Sequence, residues 1–263
     1  MRFEGRVAIV TGASAGIGRA YCQALAAEGA TVVAAARSMG PLEAGAPSRF
    51  SLAETVRSGA GLPGRIFAQV CDLEVEADVA RLIDQTVANF GRLDVLVNNA
   101  GIYPHYETFS IDVETWETSM RVNARAPFLT IKHAAPHMIR QRSGSIINMT
   151  SGSASFTPKG HAGHEDLFLY AVSKAALNRL TTFIAEELKP YGIAVNGLSP
   201  GGVDTETWAT TDPKAVAEWK ALGMVRPCTA EALGPAMLHL ALQTGEGITG
   251  QILHTNEFEK SWP

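Results

Sequence analysis

Cysteine is scarce in this chain, with Cys22, Cys71 and Cys228 the only three in 263 residues. They are odd in number, far apart and without metal-ligand spacing. A disulfide framework is therefore excluded, and the expected compartment is a reducing cytoplasm. No apolar run approaches the ~20 residues that span a bilayer. Met1–Arg6 leads straight into an apolar strand-like run, with no signal-peptide core. Positive charge is not in excess either: the formal net charge is −4, which offers no electrostatic footprint for nucleic acid or an anionic membrane. There is no internal repeat and no low-complexity tract. What is present is an ordinary globular composition, 46% hydrophobic and 18% charged. It is expected to form a single α/β domain over residues 1–263.

Apolar runs alternate with helical patterns along the chain. Val7–Val10, Thr31–Ala35, Arg65–Cys71, Leu93–Val97, Ser145–Met149, Ile193–Leu198 and Gln251–Thr255 read as strands. Ala20–Glu28, Leu52–Ser58, Val75–Phe90, Trp116–Ile139, Leu167–Glu187, Pro213–Leu222 and Ala230–Ala241 read as helices. Pro127 and Pro136 predict kinks or a break in the fourth helix. This alternation predicts a doubly wound parallel sheet with helices on both faces.

The stretch Tyr170-Ala171-Val172-Ser173-Lys174 sits in one of these helices, so Tyr170 and Lys174, four apart, leave the same face. A free phenol, with pKa ~10, is a poor acid or base at neutral pH. An ammonium ~4 Å away at an effective dielectric of ~20 favours the phenolate by ~4 kcal/mol, a downward shift of up to ~3 pKa units. Such a tyrosine can exchange a proton with an alcohol or carbonyl oxygen. The plainer reading, a core tyrosine beside a solvated lysine, has to be decided by the rest of the chain.

The remaining signals stand at strand ends. Thr11-Gly12-Ala13-Ser14-Ala15-Gly16-Ile17-Gly18 joins the first strand to the first helix. Glycines there allow close approach to a phosphate, which the helix N-terminus attracts. In such a fold the end of the second strand faces an adenosine ribose. It carries uncharged Ala36, then Arg37, which can grip a 2′-phosphate, with Ser14 and Ser38 as hydroxyl donors. Asp72 and Leu73 follow the third strand. Asp72 can border an adenine or cap the next helix, and both roles can hold. Asn98-Asn99-Ala100-Gly101 ends the fourth strand, where asparagine also bridges backbone groups structurally. Asn123 lies mid-helix against its propensity and invites a reason.

In order and placement these motifs, together with Ser151 and Pro200-Gly201-Gly202-Val203-Asp204-Thr205, resemble the short-chain dehydrogenases/reductases, from Val7 to about Leu253. The resemblance implies a Rossmann-type fold and hydride transfer between NADP(H) and a ketone, aldehyde or secondary alcohol, with NAD(H) the alternative. It implies Tyr170 as general acid/base and Lys174 lowering its pKa and binding the nicotinamide ribose. Ser151 would donate to the carbonyl oxygen, and Asn123 would hold a water that joins Lys174 to solvent. Cofactor contacts would come from Gly12, Ser14, Gly16, Ile17, Gly18, Arg37, Ser38, Asp72, Leu73, Asn99, Ala100, Gly101, Tyr170, Lys174, Pro200, Gly201, Val203 and Thr205. A homotetramer is expected, with a dimer as runner-up. A dinucleotide-binding regulator without turnover is the rival, and the intact set Asn123, Ser151, Tyr170 and Lys174 argues against it.

Two departures from the family pattern stand out. The gap from Ser151 to Tyr170 is long and brings Ser153 and Ser155 near. The last strand ends in Asn256-Glu257-Phe258 instead of Asp-Gly-Gly. His161, His164, Glu165 and Asp166 lie in the gap, but a pocket-lining loop is favoured over a metal site, and no metal is expected. Tyr103, His105, Phe156, Trp208 and Trp219 are candidates for the pocket wall.

Overall fold

Every position of Val7–Thr11 is buried, so this strand (β1) needs a partner on each edge and cover on both faces. It gets them. β2 (Thr31–Ala36) pairs with it on one side and β4 (Val95–Asn98) on the other, both in parallel. β3 (Arg65–Val70), β5 (Gly144–Met149), β6 (Ile193–Ser199) and β7 (Ile252–His254) complete a seven-stranded parallel sheet in the order β3-β2-β1-β4-β5-β6-β7. The molecule is a computed structural model that describes residues 1–40, 51–104, 106–155, 167–203, 205 and 228–262. The expected helix Pro213–Leu222 and the loop residues 156–166 lie outside the described residues.

Alternation along the strands divides the core between the two faces. Ala8, Val10, Val95, Val97 and Ile147 pack on one side with Tyr21, Leu25 and Met237, from α1 (Gly16–Ala27) and α7 (Gly234–Ala241). Ile9, Leu96 and Ile146 pack on the other with Leu82, Ile83, Met138 and Leu188. Those residues come from α3 (Glu76–Phe90), α5 (Ala126–Gln141) and α6 (Phe168–Leu188). A short α2 (Leu52–Ser58) is N-capped by Ser51, whose hydroxyl accepts from the Glu54 amide.

The expected elements needed three corrections. Helix α1 begins at Gly16 rather than Ala20; Gly16 has φ +52°, and a Cβ on Gly18 would lie 2.6 Å from Asn99 Nδ2. The expected helix 116–139 is three pieces: α4 (Val113–Met120), a π turn (Arg121–Arg125) and α5. Pro127, just inside α5, has no N–H for the carbonyl four residues back, and the extra residue of the π turn absorbs that loss. Pro136 lies inside α5 without ending it. The segment 230–241 opens with a 3₁₀ turn at Glu231–Leu233 before α7.

Candidate functional site

The chain order reverses between β1 and β4, and their C-terminal ends open a crevice, the place where ligands sit in open parallel sheets. Two glycines make this end of the sheet possible. Gly12 has φ +62°, and a Cβ there would lie 2.8 Å from Ala100 Cα. A Cβ on Gly18 would lie 2.6 Å from Asn99 Nδ2. Asn99 Nδ2 donates to the carbonyls of Thr11 (2.9 Å) and Gly12 (3.2 Å), and Thr11 Oγ1 accepts from the amides of Asn99 (3.0 Å) and Ala100 (3.1 Å). Asn99 therefore ties the glycine turn to the end of β4. The first turn of α1 has no side-chain cap and no acidic residue, so its positive dipole end suits an anion.

At the adenosine end, Ala36 is half-buried, Arg37 is exposed, and Ser38 Oγ donates to the Gly40 carbonyl (2.9 Å). Asp72 does not cap α3, whose first turn follows Val75 without a side-chain cap. Its Oδ1 instead accepts from the Glu74 amide (3.0 Å), closing a local turn two residues on. Leu73 packs against the core of that sheet face.

The second cluster lies beyond β4 and β5. Lys174 is 4% exposed, has no carboxylate partner among the described residues, and its Nζ donates to the Met149 carbonyl (2.8 Å). That nitrogen is 5.6 Å from the centre of the Tyr170 ring. Ser151 hydrogen-bonds the Tyr170 phenol, and its Oγ also accepts from the amide (3.2 Å) and hydroxyl (2.9 Å) of Ser153. The Tyr103 ring meets Tyr170 edge-on at 4.9 Å. Gly101 faces both Asn123 and Lys174: a Cβ there would lie 3.2 Å from Asn123 Oδ1 and 3.4 Å from Lys174 Nζ.

Burial reverses the expected titration. The Tyr170 phenol is pushed up to about 12 by desolvation, which its bond to Ser151 only partly offsets. The Lys174 ammonium is pulled down to about 8 by desolvation alone. Both charged forms lose water here, and the lysine nitrogen is spent on a carbonyl instead of the phenol oxygen.

Asn123 sits in the π turn, fully buried, and its amide is already committed. Oδ1 accepts from the Ile102 amide (2.9 Å), while Nδ2 donates to the Ile102 carbonyl (2.9 Å) and Ser173 Oγ (3.0 Å). The amide clamps the chain after β4 to the Tyr170 helix. Ser173, which sequence reasoning passed over, bridges Asn123 to the Tyr170 carbonyl (2.8 Å). Its place inside the Tyr170–Lys174 motif was the signal. A buried chain of Thr130, Asn98, Asn148 and Thr181 braces β4 and β5 against α5 and α6, with bonds of 2.7–2.9 Å.

At the far side, Gly201 has φ +75°, the Pro200 carbonyl accepts from Thr255 Oγ1 (3.0 Å), Val203 is buried and Thr205 half-buried. His105, Phe156, Trp208 and Trp219, and the loop residues His161, His164, Glu165 and Asp166, lie outside the described residues. Among the described residues no group of three or more His, Cys, Asp or Glu could hold a metal, and no helix is long and apolar enough to cross a membrane.

The fold and this crevice define a Rossmann-type α/β protein with a polar cluster beside a glycine-rich turn. Residues 6–215 match the family model described as short chain dehydrogenase. The chain is 32% identical over 254 residues to a 3-oxoacyl-[acyl-carrier-protein] reductase of Thermotoga maritima, covering 96% of this chain and 97% of that one. A short-chain dehydrogenase of Burkholderia cenocepacia in complex with NADP superposes with a TM-score of 0.80 at 29% identity, covering 97% of each chain. An NAD⁺-bound xylitol dehydrogenase does so with a TM-score of 0.83 at 26% identity, covering 97% of this chain and 98% of that one. This chain belongs to the short-chain dehydrogenase/reductase family, oxidoreductases that bind NAD or NADP.

Proposed function

We propose that the protein transfers hydride between NADP(H) and a ketone, aldehyde or secondary alcohol, with Asn123, Ser151, Tyr170 and Lys174 as its catalytic set. The observation that carries this reading is Lys174, a buried cation with one carbonyl partner, one turn from a phenol bonded to Ser151. A structural lysine of that burial would have a carboxylate. The nicotinamide supplies or receives the hydride when bound.

The chain's own groups do the rest. Lys174 offers donors to ribose hydroxyls, and those partners restore its charge. The restored ammonium lowers the Tyr170 pKa, as two charges of opposite sign favour each other. Tyr170 then passes its proton to the developing alkoxide while Ser151 donates to the same oxygen. Asn123 holds the water that joins Lys174 to solvent and reloads it. Gly12, Ser14, Gly16, Ile17 and Gly18 hold the pyrophosphate. Asp72, Leu73, Asn99, Ala100 and Gly101 line the middle of the cofactor, and Pro200, Gly201, Val203 and Thr205 its carboxamide end. NADP is preferred over NAD because Ala36 brings no charge and exposed Arg37 faces solvent where a 2′-phosphate would sit, with Ser14 and Ser38 beside it.

The exposed aromatic residues Phe128 (45%) and Phe183 (55%), on α5 and α6, support subunit pairing and a homotetramer, with a dimer as second choice. The substrate is a small carbonyl or alcohol. The reading is tested by cofactor oxidation across a carbonyl panel. Tyr170→Phe is expected to keep NADPH affinity and lose turnover by about 10²- to 10⁴-fold. Near-parental turnover in that variant refutes it.

A further inference from the structure

Glu74 is used three times in one place. Its amide donates to Asp72 Oδ1 (3.0 Å), its Oε2 accepts from Arg121 Nε (2.9 Å), and its carbonyl accepts from Arg125 Nη2 (2.9 Å). Arg121 and Arg125 are the first and last residues of the π turn that carries Asn123. From the other side the same turn is held by the Asn123 amide, clamped to Ile102 and Ser173. A π turn is a strained insertion in a helix, and one pinned from both sides keeps a fixed shape.

The Glu74–Arg121 pair is well placed to hold it. Its side chains are 27% and 26% exposed, so water screens it less than the second Arg121 partner, Glu114, which is 77% exposed. The carbonyl bond from Arg125 does not depend on a second charge. One residue therefore ties the turn after β3 to both ends of the Asn123 turn.

We propose that Glu74 is a positioning residue: it locks the Asp72 turn and the Asn123 turn into one hydrogen-bonded unit, so that a ligand held at Asp72 steadies the Asn123 amide and, through Ser173, the Tyr170 helix. This rests on the catalytic set proposed above. It gives binding at the adenine end a route to the reacting end, the use of remote binding energy for orientation.

The test is hydrogen exchange with NADPH as the probe, beside steady-state kinetics on the panel ketone that turns over fastest. In the unmodified protein NADPH should slow exchange at 12–18, at 72–76 and at 121–126. Glu74→Ala removes the Arg121 bond and keeps both backbone bonds, so the slowing should persist at 12–18 and weaken at 121–126. At saturating NADPH, kcat should fall roughly tenfold, the size of a lost coupling between contacting groups, while the NADPH Kd moves less than about twofold. Glu74→Gln keeps a side-chain oxygen for Arg121, the one bond that Glu74→Ala removes, and should stay near the parent. Glu114→Gln should leave both readouts unchanged.

Unchanged protection at 121–126 in Glu74→Ala overturns the proposal. So does an unchanged kcat, or a fall in melting temperature and NADPH affinity with kcat intact. A protein that binds neither NADPH nor NADH, or a Tyr170→Phe variant that still turns over, overturns the catalytic reading and this proposal with it.

Discussion

Replacing Lys174 by methionine isolates the buried charge at the centre of the cluster. The folded lysine titrates at about 8 against an ordinary value of 10.5. The folded state thus binds this proton less readily than the unfolded chain does. Below pH 8 the burial costs stability in full, and the cost is relieved as pH rises from about 8 to 10.5. At ~1.4 kcal/mol per unit the whole difference is roughly 3–4 kcal/mol, most of which falls between pH 7 and pH 10. Other groups act in the opposite sense in part of that window. Burial raises the Cys22 and Cys71 thiols above their ordinary 9.0, so the unfolded chain loses those protons first and stability falls as pH rises past that value. The parent alone therefore shows a blunted profile, and the informative quantity is its difference from Lys174→Met. Urea unfolding followed by fluorescence, at one protein concentration and at several pH values, gives that difference. The parent should gain roughly 2–3 kcal/mol relative to the variant on going from pH 7 to pH 10. Lost packing and the lost bond to Met149 add only a constant offset. A difference that does not vary with pH refutes the reasoning, because Lys174 would then be as well solvated folded as unfolded.

Three further outcomes follow from the same geometry. Arg37→Ala should weaken NADPH binding by ~10- to 150-fold, the worth of one charged hydrogen bond, and barely touch NADH; Ala36→Asp should move selectivity toward NADH. Fluorescence titration at fixed salt measures both, and a parent that prefers NADH removes the role given to Arg37. Asn99→Ala should cost about 1–3 kcal/mol in urea unfolding, since the Thr11 and Gly12 carbonyls lose their shared donor at the tightest point of the site. Light scattering at micromolar concentration should give a tetramer mass or, failing that, a dimer; a monomer contradicts the pairing of α5 and α6.

Much of the fold was legible because burial on both sheet faces leaves a mark in sequence. Runs such as Val7–Val10 and Ile193–Leu198 are apolar throughout, as strands covered on both faces must be, and their spacing by helical patterns gives a parallel sheet without any coordinates. The glycine turn was legible for a similar reason, since only glycine fits where Gly12 meets Ala100 and Gly18 meets Asn99. The four-residue spacing of Tyr170 and Lys174 follows from helix geometry alone.

Tertiary structure decided what depends on contacts between distant segments. The titration of Tyr170 and Lys174 reversed because desolvation is set by every neighbour, and the sequence shows only the two residues. Asn123 stood out only as an asparagine inside a helix, and its amide partners, Ile102 and Ser173, lie 21 and 50 residues away. Asp72 looked like a helix cap and closes a local turn instead. The π turn left one trace in the sequence, Pro127 four residues after Asn123, but its anchors Glu74 and Arg121 are 47 residues apart. Local spacing fixes which side chains share a helix face or a strand end. Which polar groups meet across the sheet, and which of them lose water, is fixed only when the layers close.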